Sequence, residues 1–286
     1  MRLRFFTAAA FLVILFATCS SYADSLYLYA TPASAGMGGA FGSIADDNAA
    51  IIVNPAGISA TKRYGTETGY LFTNPYSGSR LDFSAVDSTT SEVGAGFGYY
   101  HDIYKLASDY VQRNTYAMAL SAGEPGVLSV GVTGRMDLLS GALSGQAESL
   151  GYGLIFSPGV SFLNLSIAGL NLTRIRGTRD QLPPRLIDTG ISMILHGVLT
   201  IAFDAVKNLE VASKNSIDYH AGGELVFVQQ IALRGGYAWE TAENTKTFSG
   251  GIAWKAPRFT LAYTYVGDVM NQSNSTQLVS FTLYPF

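Results

Sequence analysis

From Tyr64 to Phe286 the chain repeats one pattern: segments of about ten residues in which apolar side chains alternate with small or polar ones, separated by turn residues. Leu128, Val130 and Val132 alternate with Ser129, Gly131 and Thr133; Phe259, Leu261, Tyr263 and Tyr265 alternate with Thr260, Ala262 and Thr264. Period two places alternate side chains on opposite faces of a strand. A face that stays apolar on strand after strand suits lipid, and an opposite face that stays small and polar suits a lumen. Lipid offers no hydrogen-bond partner to the backbone, so a sheet at membrane depth must close on itself. A soluble β-sandwich would accept the alternation, but does not explain 17 Tyr, 16 Phe and 31 Gly with only 14% charged residues. The fold class expected is all-β, an antiparallel transmembrane β-barrel with a small N-terminal helical plug.

Fourteen strands are read, near 64–73, 79–87, 93–101, 114–122, 126–136, 148–156, 161–171, 186–195, 199–206, 217–227, 231–239, 245–255, 258–267 and 277–286; twelve or sixteen also satisfy the even number usual for bacterial barrels. Two hairpins carry explicit register. A three-residue loop at 196–198 sets Leu195, Met193 and Ile191 opposite Leu199, Ile201 and Phe203 on one face, and Ile194, Ser192 and Gly190 opposite Thr200, Ala202 and Asp204 on the other. A loop at 228–230 sets Glu224 opposite Arg234, a predicted lumenal ion pair with His220 on the same inward face.

Residues 1–23 read as a secretory signal: Arg2 and Arg4, an apolar run from Phe5 to Ala17, and Ser21-Tyr22-Ala23 as the cleavage site. Cys19, the only cysteine, leaves with it; Phe16-Ala17-Thr18 fits a lipidation site poorly. The remainder, with 16 Lys and Arg against 21 Asp and Glu, carries a charge near −5, which argues against nucleic acid as a partner. The expected location is the outer membrane of a Gram-negative-type bacterium. The partners expected are the lipid bilayer and the barrel-assembly machinery, which would read the aromatic-rich last strand ending in Phe286.

Residues 24–63 differ in character. Met37, Ala40, Phe41 and Ile44 fall at helical spacing, Asp46 or Asp47 is placed to cap a further turn through Ile51, and Asn54-Pro55 ends it. This segment is read as a plug, with 64–286 as barrel. Gly36, Gly38, Gly39 and Gly42 superficially match a phosphate loop, but are better read as close packing of plug backbone on the wall. Asp46-Asp47 suits helix capping better than acid–base or cation chemistry. His101, His196 and His220 lack metal-ligand spacing. No cofactor, metal or catalytic residue is expected, and the chain is not read as an enzyme.

Three stretches, Gly36-Met37-Gly38-Gly39-Ala40-Phe41, Ile44-Ala45-Asp46-Asp47-Asn48-Ala49-Ala50 and Asn54-Pro55-Ala56-Gly57-Ile58, together resemble the N-terminal segment of the FadL and PorV/PorQ group of outer-membrane barrels. His220-Ala221-Gly222-Gly223-Glu224 with Ala232-Leu233-Arg234-Gly235-Gly236-Tyr237 is similar to that group's late hairpin. The resemblance implies fourteen strands around a hatch, and either passage of a hydrophobic or amphipathic ligand or docking of a secretion partner. On that view Gly38, Gly39, Phe41, Ile44, Asp46, Asp47, Asn54, Pro55 and Gly57 form the gating element, and Glu224 with Arg234 stiffens the wall. A transporter should show an apolar pocket near Phe41 and Ile44. A dock should show a sealed lumen.

Overall fold

A computed structural model describes residues 30–285 apart from 75–77, 107–108, 160–161, 179–180, 182, 212–216, 229, 242–243 and 272. The expected leader with Cys19, and the terminal Phe286, lie outside the described residues.

Fourteen antiparallel strands close into one barrel: β1 (Tyr64–Asn74), β2 (Ser79–Asp87), β3 (Gly94–Leu106), β4 (Asp109–Glu124), β5 (Leu128–Gly141), β6 (Gly145–Phe156), β7 (Leu163–Arg176), β8 (Leu186–Leu195), β9 (Leu199–Asn208), β10 (Ile217–Phe227), β11 (Ile231–Glu240), β12 (Thr245–Lys255), β13 (Phe259–Asp268) and β14 (Ser275–Leu283). Closure comes from β1 against β14, from Thr66 opposite Leu283 to Asn74 opposite Ser275. Both predicted hairpin registers are observed, including Ile191 opposite Phe203 and Glu224 opposite Arg234. Strands β3 to β5 run farther than expected, because Asp102, Arg113 and Asp137 point into the lumen and pair there instead of marking loops. The wall departs from regular pairing between β6 and β7, where Asn171 takes a left-handed φ of 54°.

Outward side chains are apolar along each strand: Met118 is 68% exposed and Ile252 50%. The outward residues Asp87, Lys105, Glu124, Glu148, Arg176, Lys207 and Lys246 stand at or near strand ends, and outward His101, inside β3, lies opposite Leu81 near the start of β2 and hydrogen-bonds Asn114. Aromatic rings form runs at both ends of the wall, Phe203–Tyr219–Trp239 at one and Trp254–Phe259–Phe281 at the other. Along β11 the interval from Ile231 to Trp239 is roughly 20 Å high at ordinary strand rise and tilt, near the apolar band of about 25 Å expected between such girdles. On β14 the outward residues are Val279, Phe281 and Leu283, while Leu278, Ser280 and Thr282 face the lumen.

Three short helical turns lie inside the barrel: α1 (Pro32–Gly36), a 3-10 turn (Asn48–Ile51) and α2 (Gly57–Ala60). They cross the lumen, α1 meeting β11 to β14 and α2 meeting β3 to β5. The helical spacing of Met37, Ala40, Phe41 and Ile44 does not produce a helix. The helix lies earlier, capped by Thr31, and residues 37–44 form turns because Gly38 and Gly39 adopt φ of 65° and 85°. Of the two candidate caps, Asp47 is the one used, its Oδ1 accepting the Ala49 N–H at 2.8 Å.

Candidate functional site

The plug is fitted to the wall backbone against backbone. A Cβ on Gly236 of β11 would overlap the Gly38 amide, and one on Gly222 of β10 would overlap the Met37 carbonyl. Glycine at these two wall positions is therefore what lets the Met37–Gly38 turn lie flat on the sheet. The same turn is held by polar groups: His220 Nδ1 donates to the Gly38 carbonyl at 2.7 Å, and Asp204 Oδ2 accepts the Gly42 N–H at 2.8 Å. Ser249 Oγ donates to Gly36 O at 3.0 Å and Thr264 Oγ1 to Pro32 O at 2.6 Å.

Farther along, Asn54 is fully buried; its Nδ2 donates to Gly42 O at 2.7 Å and its Oδ1 accepts the Ala56 N–H at 3.2 Å. Pro55 packs on β5 at Gly131, and Gly57 lies against the Ala45 carbonyl. Arg63, which sequence reasoning overlooked, gathers three plug carbonyls: Nη2 donates to Asp47 O at 2.6 Å, and Nη1 to Gly57 O at 3.1 Å and Thr61 O at 3.0 Å. Burial pushes its guanidinium below the usual arginine value, against the opposing pull of Asp47 and Asp46. Asp47 accepts a hydrogen bond from Thr31 Oγ1 at 2.7 Å, and burial, with the charge of Asp46 adding to it, raises its carboxyl. Asp46 itself is exposed.

On the side of the plug away from the C-terminal end of β14, Leu71, Leu170, Leu186, Val206, Val266 and Leu278 converge with Ala35 into a buried apolar cluster inside the barrel. On the terminal side, a cavity of about 320 Å³ separates plug from wall. Met37, Phe41 and Ile44 form its plug side; Ile194, Thr200, Val226, Glu224, Arg234 and Lys255 form its wall side. Glu224 accepts from Arg234 Nε at 2.7 Å through Oε2 and from Lys255 Nζ at 3.1 Å through Oε1. The sequence-predicted residues thus divide: Phe41, Ile44, Asp46, Glu224 and Arg234 meet at this cavity, whereas Gly38, Gly39, Asp47, Asn54, Pro55 and Gly57 fasten the plug. Asp204 was legible only as an isolated acid on an inward face. Among the described residues no three His, Cys, Asp or Glu side chains are placed to hold a metal ion.

The arrangement of wall, inner turns and closure has counterparts among solved structures. The CymD monoaromatic hydrocarbon channel matches with a TM-score of 0.67 at 14% identity, over 89% of this chain and 97% of that one. The Ralstonia pickettii toluene transporter TbuX matches with a TM-score of 0.64 at 12% identity, over 89% and 98%. This chain shares their fold. At such identities the likeness concerns architecture alone. No protein-family model matches the sequence, and no curated protein matches it.

Proposed function

We propose that this chain is an outer-membrane channel for hydrophobic or amphipathic small molecules, gated by the plug from Gly36 to Ile58. The observation that carries the reading is the cavity at Phe41 and Ile44, lying on one side of the plug while an apolar cluster of lumen-facing leucines and valines lies on the other. A molecule entering past Leu71 and Leu278 would meet apolar surface, displace the Gly38–Ile44 segment and reach the cavity before leaving. Export through a cleaved leader at 1–23, a hatch at 24–63 and a wall from 64 belong to the same reading. So does presentation of the last strand, with Val279, Phe281 and Leu283 outward, to the barrel-assembly machinery. The apolar exterior with ionisable residues kept to its margins supports residence in a bilayer. The hydrocarbon and toluene channels that share the fold support the substrate class. No observation favours the docking role.

Deleting residues 36–58 should raise conductance in a planar bilayer, and filling the cavity with Ile194→Trp should slow toluene entry into proteoliposomes. Unchanged conductance together with unchanged toluene entry would remove the channel reading.

A further inference from the structure

We propose that one rim of the outer wall binds lipid headgroups bearing phosphomonoesters, so that the two ends of this barrel sit in leaflets of different charge. This goes beyond the channel reading and depends only on residence in a bilayer. Outward charge on the strands is divided by sign. At the end away from the C-terminal end of β14 stand Lys105 on β3, Arg176 on β7, Lys207 on β9 and Lys246 on β12, with one carboxylate, Glu148, opposite Arg176. At the other end the outward groups are Asp87 on β2 and Glu124 on β4. The two bands lie a bilayer apart. At ordinary rise and tilt, the stretch of β3 from Ala95, which lies opposite Asp87, to Lys105 spans roughly 25 Å of height.

Position fits the cationic rim to headgroups. Lys246 Nζ lies 5.4 Å from the centre of the Trp239 ring, which holds the ammonium at the level of the Phe203–Tyr219–Trp239 girdle. Tyr219, Trp239 and Lys246 follow one another in register across β10, β11 and β12, and Lys207 stands beside them on β9, opposite Ile217. Lys207 and Lys246 are thus three strand spacings apart, about 14 Å. Carboxylates near this end turn away from lipid. Asp218, Glu240 and Asp268 are on the lumenal side, where they accept from the Thr241 N–H, Thr245 Oγ1 and the Met270 N–H. Glu210 holds Arg174 and Arg185. A phosphomonoester brings up to two negative charges and three oxygens that accept strongly from lysine and arginine. A phosphodiester brings one charge. A zwitterionic headgroup sets an ammonium beside its phosphate, which suits Asp87 and Glu124 but not four cations.

The chain holds two tryptophans, Trp239 in the cationic rim and Trp254 at the opposite end, so each rim has its own reporter. Trp254→Phe leaves Trp239 alone, and Trp239→Phe leaves Trp254. The full-length protein should be reconstituted into phosphatidylcholine vesicles containing phosphatidate or phosphatidylglycerol with brominated acyl chains, which quench tryptophan on contact. At Trp239, phosphatidate should show a relative affinity at least about fivefold above phosphatidylcholine, the worth of one cation at an anionic surface. Phosphatidylglycerol should fall between them, and Trp254 should show no preference. Adding Lys207→Gln and Lys246→Gln should bring the Trp239 preference close to unity. Heat-modified gel mobility identifies the folded barrel in each variant. Equal affinity of phosphatidate with either other lipid at Trp239, the same preference at Trp254, or a preference that survives both lysine substitutions would overturn the assignment. So would loss of the preference to inorganic phosphate at matched ionic strength, which would mark a free-anion site. Absence of quenching by every brominated lipid would remove residence in a bilayer, and this proposal with it.

Discussion

Asp204 and His220 face each other across the β9–β10 register, and each holds one end of the same plug turn, Asp204 the Gly42 amide and His220 the Gly38 carbonyl. Both side chains are almost wholly buried. Removing either strands a buried backbone group, at a cost of about 1–3 kcal/mol. Asp204→Leu and His220→Phe should each raise the open probability in planar bilayers. The double variant should fall short of the summed effects, because the two anchors serve one segment. Asp204→Asn, which keeps an acceptor for Gly42, should stay near the parent. Strict additivity would mean that the two contacts restrain different motions.

Steric fit gives a second expectation. Gly236→Val should drive a side chain into the Met37–Gly38 backbone, unseating the plug while the wall still closes. Its neighbour Gly235 lies on the outer face, with open space where a side chain would begin, and should accept Val without effect. Conductance of the two folded variants distinguishes them.

The half-buried Asp47 makes plug closure depend on pH. Burial, then the adjacent Asp46, raise its carboxyl above the ordinary 3.8, against the hydrogen bonds from Thr31 and Ala49 and the charge of Arg63. A carboxyl raised in the folded state takes up a proton on folding, so its stabilisation is complete below 3.8 and fades as pH rises through the folded value. Openings should therefore become more frequent as pH rises above 3.8 and through the raised folded value. Asp47→Asn should weaken that pH response and still cap the 3-10 turn, whereas Asp47→Ala should lose about 1 kcal/mol of capping. An undiminished pH response in Asp47→Asn would assign it to another group.

Residence in lipid is tested at Met118, outward near the middle of β4. Met118→Arg should cost about 2–4 kcal/mol in urea titrations of folding into bilayers, the value for arginine near the midplane of a barrel. Tolerance without loss would argue that water, not lipid, meets this face.

The ion pair beside the cavity has its own signature. Glu224→Ala leaves Arg234 buried and uncompensated and should cost about 3–5 kcal/mol in the same assay. Combining it with Arg234→Met should recover most of that loss, since no buried charge then lacks a partner. Persistence of the full penalty in the double variant would place its origin in packing.

Strand number, hairpin register and the meeting of Glu224 with Arg234 were legible in the chain because they depend on period-two alternation and on loops of three residues, both local quantities. The ends of β3, β4 and β5 were not: Asp102, Arg113 and Asp137 look like loop residues until other strands supply their lumenal company. The 37–44 segment misled for a related reason. Its apolar spacing suits a helix, yet Gly38 and Gly39 take left-handed turns so that the backbone can lie against Gly222 and Gly236, some 180 to 200 residues later. The alternation alone thus determined that this chain makes a two-faced sheet, greasy on one side. Closure of β1 on β14, the clamp of Arg63 on the plug, and the cavity shared by Phe41, Ile44 and Arg234 were decided only in three dimensions, because each joins groups far apart in sequence whose contact no local preference encodes.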